Sequence, residues 1–145
     1  MTSFARAIVS PPVAVSPSLS VSASPDQLLV LRSLVRTVAA HYALSLDGLS
    51  DLVLAADEAA TILIGHALPP SSALTCTFGG DDTAAVQVIL SAATTGQITT
   101  STSSFGWRVL ETLADEVVLE ELPPTAPEEK WDVTITLTKV LQVNS

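Results

Sequence analysis

The chain has 145 residues, 48% of them hydrophobic, and a formal net charge of −9. That is enough for one domain with its own core, and it excludes a disordered chain. Six Lys and Arg residues cannot supply the basic footprint of a nucleic-acid binder, nor of a protein that docks on an anionic membrane.

Residues 1–16 are rich in Ser, Pro and Ala without a sustained period, and read as a flexible N-terminal tail. The opening MTSFARAIVS is too short and too weakly charged for a secretory signal, and no apolar run reaches the length of a membrane span. The expectation is a cytoplasmic protein. A single domain is expected over 17–141, with 142–145 as a C-terminal tail. Leu19, Val21 and Ala23 alternate with Ser18, Ser20 and Ser22, the pattern of a half-buried strand. Ser24-Pro25-Asp26-Gln27 reads as a helix start with a capping box, and the helix runs to about His41. Leu28, Leu31, Val35, Val38 and Ala39 form its apolar face, while Arg32 and Arg36 lie four apart on another.

Ser45–Leu68 reads as one long helix, capped by Ser45, favoured in its first turn by Asp47, and ended by Leu68-Pro69-Pro70. At 100° per residue Leu49, Leu52, Val53, Ala56, Ala60, Leu63 and Ala67 make a core stripe. A different stripe carries Asp51, Ala55, Glu58, Ile62 and His66. Next come two alternating runs, Leu74-Cys76-Phe78 and Val86-Val88-Leu90, joined by Gly79-Gly80-Asp81-Asp82: a hairpin. Cys76 is the sole cysteine, so no internal disulfide can form, and its place in an apolar alternation marks a buried thiol. Residues 92–104 are small and hydroxylated, and read as a mobile loop. A short helix over Phe105–Ala114, a strand over Val117–Glu121, a polar connection over Pro123–Glu129, and a strand on Trp131, Val133, Ile135 and Leu137 complete the chain. The order is β-α-α-β-β-α-β-β. It predicts an α+β, two-layer sandwich: a mostly antiparallel mixed sheet with three helices on one face.

Asp57-Glu58 lies mid-way along an apolar helix. A carboxylate there is costly unless it reaches a cleft, an arginine or water, and a solvated face without a role is the alternative. His66 has no second His or Cys at ligand spacing, which makes it a helix-end cap or surface residue and leaves no metal site to assign. Gly106 opens the third helix, where a bare backbone could admit a phosphate or simply allow close packing. Arg32 and Arg36 could meet a protein carboxylate or water.

The long helix resembles that of the GHKL (Bergerat-like) ATPases, in which a catalytic Glu is followed by a magnesium-binding Asn and then a His, each four residues on. From about Ser18 to Val140 the chain resembles the anti-sigma factors of the serine-protein-kinase type, above all their actinobacterial, anti-sigma-F-like forms. The resemblance rests on VLRSLV in the first helix, DLVLAADEAATILIGHAL in the second, and SFGWRVLETLADEV in the third helix and next strand. It implies a partner that is an alternative sigma factor, of the stress or sporulation type, kept from RNA polymerase until an anti-anti-sigma protein competes for the same binder. Kinase members use ATP to phosphorylate a serine of that competitor, and members often form homodimers.

By the same resemblance Glu58 matches the general base at the nucleotide site, Gly106 a glycine of the second phosphate-side box, and Arg32 an arginine that contacts protein partners. Arg36 joins Arg32 as a candidate partner contact from its spacing. Three positions depart from the pattern. Ile62 stands where magnesium would find an Asn. Ser91–Gly96 contains no Asp for the adenine-reading Asp-x-Gly box. Ser104 replaces the first glycine of the second box. ATP with magnesium therefore enters only through the resemblance. Two functions stay open within it: an anti-sigma factor with a degenerate nucleotide site, or an active serine kinase. A scaffold domain without a sigma partner is the third reading.

Overall fold

Residues 17–68, 72–81, 84–98, 104–125 and 129–142 are described by a computed structural model. The elements are β1 (Leu19–Ser22), a 3-10 turn (Pro25–Gln27), α1 (Leu28–Ala39), α2 (Leu46–His66), β2 (Ala73–Asp81), β3 (Ala85–Thr94), α3 (Phe105–Leu113), β4 (Glu116–Leu122) and β5 (Trp131–Val140). Their order is the expected one. The strands form one sheet, ordered β1-β2-β3-β5-β4, and every pairing in it is antiparallel.

Alternation along the strands builds the sandwich. Val86, Val88, Leu90, Ala92 and Thr94 of β3 turn to one side and are buried, together with Leu74, Cys76 and Phe78 of β2 and Val133, Ile135 and Leu137 of β5. The intervening residues, among them Thr75, Gln87, Ile89, Thr134 and Thr136, face away and stay half-exposed. The helices pack on the buried side. Helix α2 crosses β3 and β5 and takes α1 on one flank and α3 on the other.

Local chemistry explains the element ends. At the start of α1 the expected capping box does not form. The Ser24 hydroxyl donates to the Asp26 carboxylate, the Gln27 N–H bonds the Ser24 carbonyl, and the chain enters through a 3-10 turn. Pro25, lacking an N–H, costs nothing in such a first turn. Helix α2 is capped as expected: Ser45 Oγ accepts the Gly48 N–H at 2.9 Å. At its far end Ala67 turns extended. The Leu68 N–H then bonds the Ala93 carbonyl at 3.0 Å and the Thr95 N–H bonds the His66 carbonyl at 3.1 Å. Lys139 of β5 fastens the opposite side, donating from Nζ to the Leu113 carbonyl at the end of α3 (2.9 Å) and standing 3.6 Å from Asp51 of α2.

Two expectations are corrected. Residues 92–94 are not loop but the end of β3, and the chain beyond is anchored. Ile98 is fully buried, and its N–H donates to Glu121 Oε2 at 2.6 Å. The remainder of the expected loop, 99–103, lies outside the described residues, as do 1–16 and 143–145. Gln142, expected in the terminal tail, bonds the Ala43 carbonyl through its N–H at 2.7 Å.

The β2–β3 hairpin forms where expected, in register from Leu74↔Ala92 to Asp81↔Ala85. Gly80 is required there: its φ is +109°, and a Cβ on it would lie 2.4 Å from the Ala85 carbonyl oxygen. Gly80→Ala should therefore lower stability by more than about 1 kcal/mol, measured by urea unfolding.

Candidate functional site

The sequence singles out α2, and its two adjacent carboxylates diverge to opposite flanks. Successive helical residues are 100° apart, so Asp57 turns toward α1 and Glu58 toward α3. Asp57 meets an arginine, whereas Glu58 lies against the start of α3.

On the α3 flank Glu58 is half-buried against Gly106. A Cβ built on Gly106 would stand 2.6 Å from Glu58 Oε2 and 3.7 Å from Ile62 Cδ1. Two candidate residues 48 positions apart are thus in contact, and the absent side chain of Gly106 makes room for the carboxylate. Ser104 caps α3, its hydroxyl accepting the Trp107 N–H at 3.2 Å. The carboxylate sits beside the positive end of the helix dipole, where a negative group is favoured. Ile62, one turn beyond Glu58, packs its half-buried side chain against the core. His66, another turn on, bonds the Ile62 carbonyl through Nδ1 at 2.9 Å, which puts the proton of a neutral ring on that nitrogen.

At the end of β3, Thr94 is the one fully buried polar residue among the described residues. Its hydroxyl donates to the Gly96 carbonyl at 2.8 Å. Sequence reasoning passed over Thr94 because it lay in a run taken for a loop. The Glu121–Ile98 tether was missed for the same reason.

On the α1 flank, Arg32 Nε lies 2.9 Å from Asp57 Oδ1, with the two side chains 47% and 30% exposed. Oδ1 is out of reach of solvent, and its alignment with Arg32 is that of an ion pair rather than of a straight hydrogen bond. Arg36 is exposed one turn further along α1. The structure therefore separates the candidates into two groups: Glu58 with Gly106 and Ile62 between α2 and α3, and Arg32 with Arg36 and Asp57 on the α1–α2 side.

An antiparallel five-stranded sheet carrying three helices on one face, with a carboxylate of the long central helix set against the start of the third, defines a histidine-kinase-like, GHKL-type sandwich. No protein-family model matches the chain. It is 36% identical over 99 residues to the anti-sigma-F factor RsbW of Mycobacterium tuberculosis, with the same identity for the proteins of strains CDC 1551 / Oshkosh and ATCC 25618 / H37Rv. The alignment covers 68% of this chain and 58% of the relative, so the chain spans less than two thirds of the length of the curated relatives it matches. The resemblance to actinobacterial anti-sigma-F-like proteins, first seen in the three helical segments, is thereby upheld.

A magnesium-chelated nucleotide fits these residues poorly. Ile62 offers the metal no oxygen or nitrogen. The Thr94 hydroxyl is already committed to Gly96, and the start of α3 already has a hydroxyl cap and a carboxylate beside it. Among the described residues no group of three or more His, Cys, Asp or Glu side chains could hold a metal ion. Nor is any helix among them long and apolar enough to cross a membrane.

The Cys76 thiol, buried on β2, is pushed by desolvation from an ordinary 9.0 up to about 12. It should resist a thiol-disulfide reagent at pH 8 in the folded protein and react at once in denaturant, followed by absorbance. The contact at Gly106 predicts a coupling. In a Glu58→Ala background, Gly106→Ala should stabilise α3 by up to about 1 kcal/mol, since alanine is the better helix former. In the wild-type background the displaced carboxylate should cancel part of that gain, and urea titration of the four proteins measures the difference.

Proposed function

We propose that this chain binds an alternative sigma factor, withholds it from RNA polymerase, and yields it to an anti-anti-sigma competitor without using nucleotide. The similarity to a protein named anti-sigma-F factor supports the first part, because the 99 aligned residues cover 68% of the chain. The observation that carries the second part is Ile62. A side chain without a ligand atom occupies the helix position, one turn beyond Glu58, where a chelating amide would be needed. On this reading Arg32 and Arg36, two of only six basic residues in the chain, are the cationic contacts for the partner.

One observation favours the second reading, an active kinase that phosphorylates its competitor on serine. Glu58 stands at the start of α3 beside Gly106, which is where a general base would face a phosphate-side loop.

Calorimetry with ATP and magnesium, beside capture of sigma factor with and without ATP, separates the two. Sigma capture that is unchanged by ATP, with no ATP binding heat, is the expected result. Arg36→Ala should weaken sigma binding by about 1–2 kcal/mol if this helix is the contact face. Tight ATP binding with phosphate transfer that Glu58→Gln abolishes would make the kinase reading the right one.

A further inference from the structure

The two helices that carry the candidate partner contacts run antiparallel through the short connection 40–45, and one charge pair crosses their seam. Asp57 of α2 holds Arg32 of α1 through Nε. Nearly half of the Arg32 side chain is nevertheless open to solvent. Asp57 Oδ1, by contrast, is shielded from water and has Arg32 as its partner. The pair is therefore asymmetric: Asp57 contributes a sheltered oxygen, while Arg32 is the more exposed of the two side chains.

The surroundings are apolar and equally exposed. Leu29, one turn before Arg32 on α1, is 67% exposed, and Leu54, one turn before Asp57 on α2, is 55% exposed. Because the helices are antiparallel, these leucines lie at opposite ends of the ion pair. Arg36 adds a second positive charge on the α1 side. In a chain of net charge −9 this is a local positive patch between two apolar side chains, and it fits a carboxylate flanked by apolar residues.

We infer that Asp57 is a positioning residue for Arg32: it fixes the guanidinium at the α1–α2 seam, between Leu29 and Leu54, so that the solvent-open part of the side chain can take a carboxylate of the sigma factor. This rests on the sigma-binding reading above. A bidentate arginine–carboxylate contact depends on orientation as well as charge, and an arginine on a free stem must lose rotamer freedom when it binds. Asp57 removes that freedom before the partner arrives. The opposite mechanism, in which Asp57 competes with the partner for Arg32, makes the opposite prediction for the same variant.

The test uses the full chain and purified sigma-F of Mycobacterium tuberculosis as the probe, with Kd measured for the wild type, Asp57→Asn, Arg32→Ala and the double variant. Asp57→Asn should weaken binding about tenfold. The double variant should bind no worse than Arg32→Ala alone, because Asp57 acts through Arg32; a merely structural Asp57 would weaken it further. In the free protein the Arg32 Nε–H signal should be resolved from those of mobile arginines in NMR spectra, and should merge with them in Asp57→Asn. Binding that is unchanged or tighter in Asp57→Asn overturns the proposal and leaves the sigma reading standing. No binding by the wild type overturns sigma-F as the partner, and this proposal with it.

Discussion

Helix α2 is enclosed on three sides, by the sheet, by α1 and by α3, and that enclosure governs what its sequence can be. Its buried positions are Gly48, Leu52, Val53, Ala55, Ala56, Ala59, Ala60 and Leu63, more than half of them Gly or Ala. Small side chains let flanking helices approach to about 8–10 Å between axes. Three carboxylates lie at the seams, and each lies against a different element. Asp51 is reached by Lys139 of β5, Asp57 by Arg32 of α1, and Glu58 by the start of α3. Two of these carboxylates, Asp51 and Asp57, are paired with cations of neighbouring elements and so tie α2 to β5 and α1.

This enclosure also explains which parts of the molecule could be read from sequence. The strand at Trp131–Val140 and the hairpin were legible because large apolar residues alternate with threonine and glutamine, which leaves one register in which the apolar face is covered. The stripe on α2 was legible only in part. Ala55 was assigned to the Glu58 face, yet it is fully buried, because α3 covers that side too. A residue as small as alanine carries too little hydropathy to announce a second packing partner.

The end of β3 was not legible. Ser91-Ala92-Ala93-Thr94 has no apolar contrast, and what makes it a strand is long-range: the exit of α2 at Ala67–Leu68 pairs with it on one side and β5 on the other. The same holds for the site. The need of Asp57-Glu58 for partners could be argued from burial cost alone. Which partner each would find depended on the helices coming together from positions 25 and 48 residues away. Spacing gave Arg32 and Arg36 a common face, but not the carboxylate beneath one of them.

A nucleotide site standing empty is a set of polar groups waiting for a ligand, and such groups weaken the unliganded fold. On the reading proposed above, the corresponding groups of this chain are occupied from within. Thr94 bonds Gly96, Ser104 caps the helix it precedes, the Glu58 carboxylate fills the space over Gly106, and Ile62 contributes apolar surface to the core. Each of these contacts is made within the sandwich itself. On the nucleotide-independent reading proposed above, such a frame would hold the α1–α2 face in one shape without nucleotide. A binder that works by occupancy of a protein partner needs that constancy, whereas a kinase, which must open and close around ATP in every cycle, would be hindered by it.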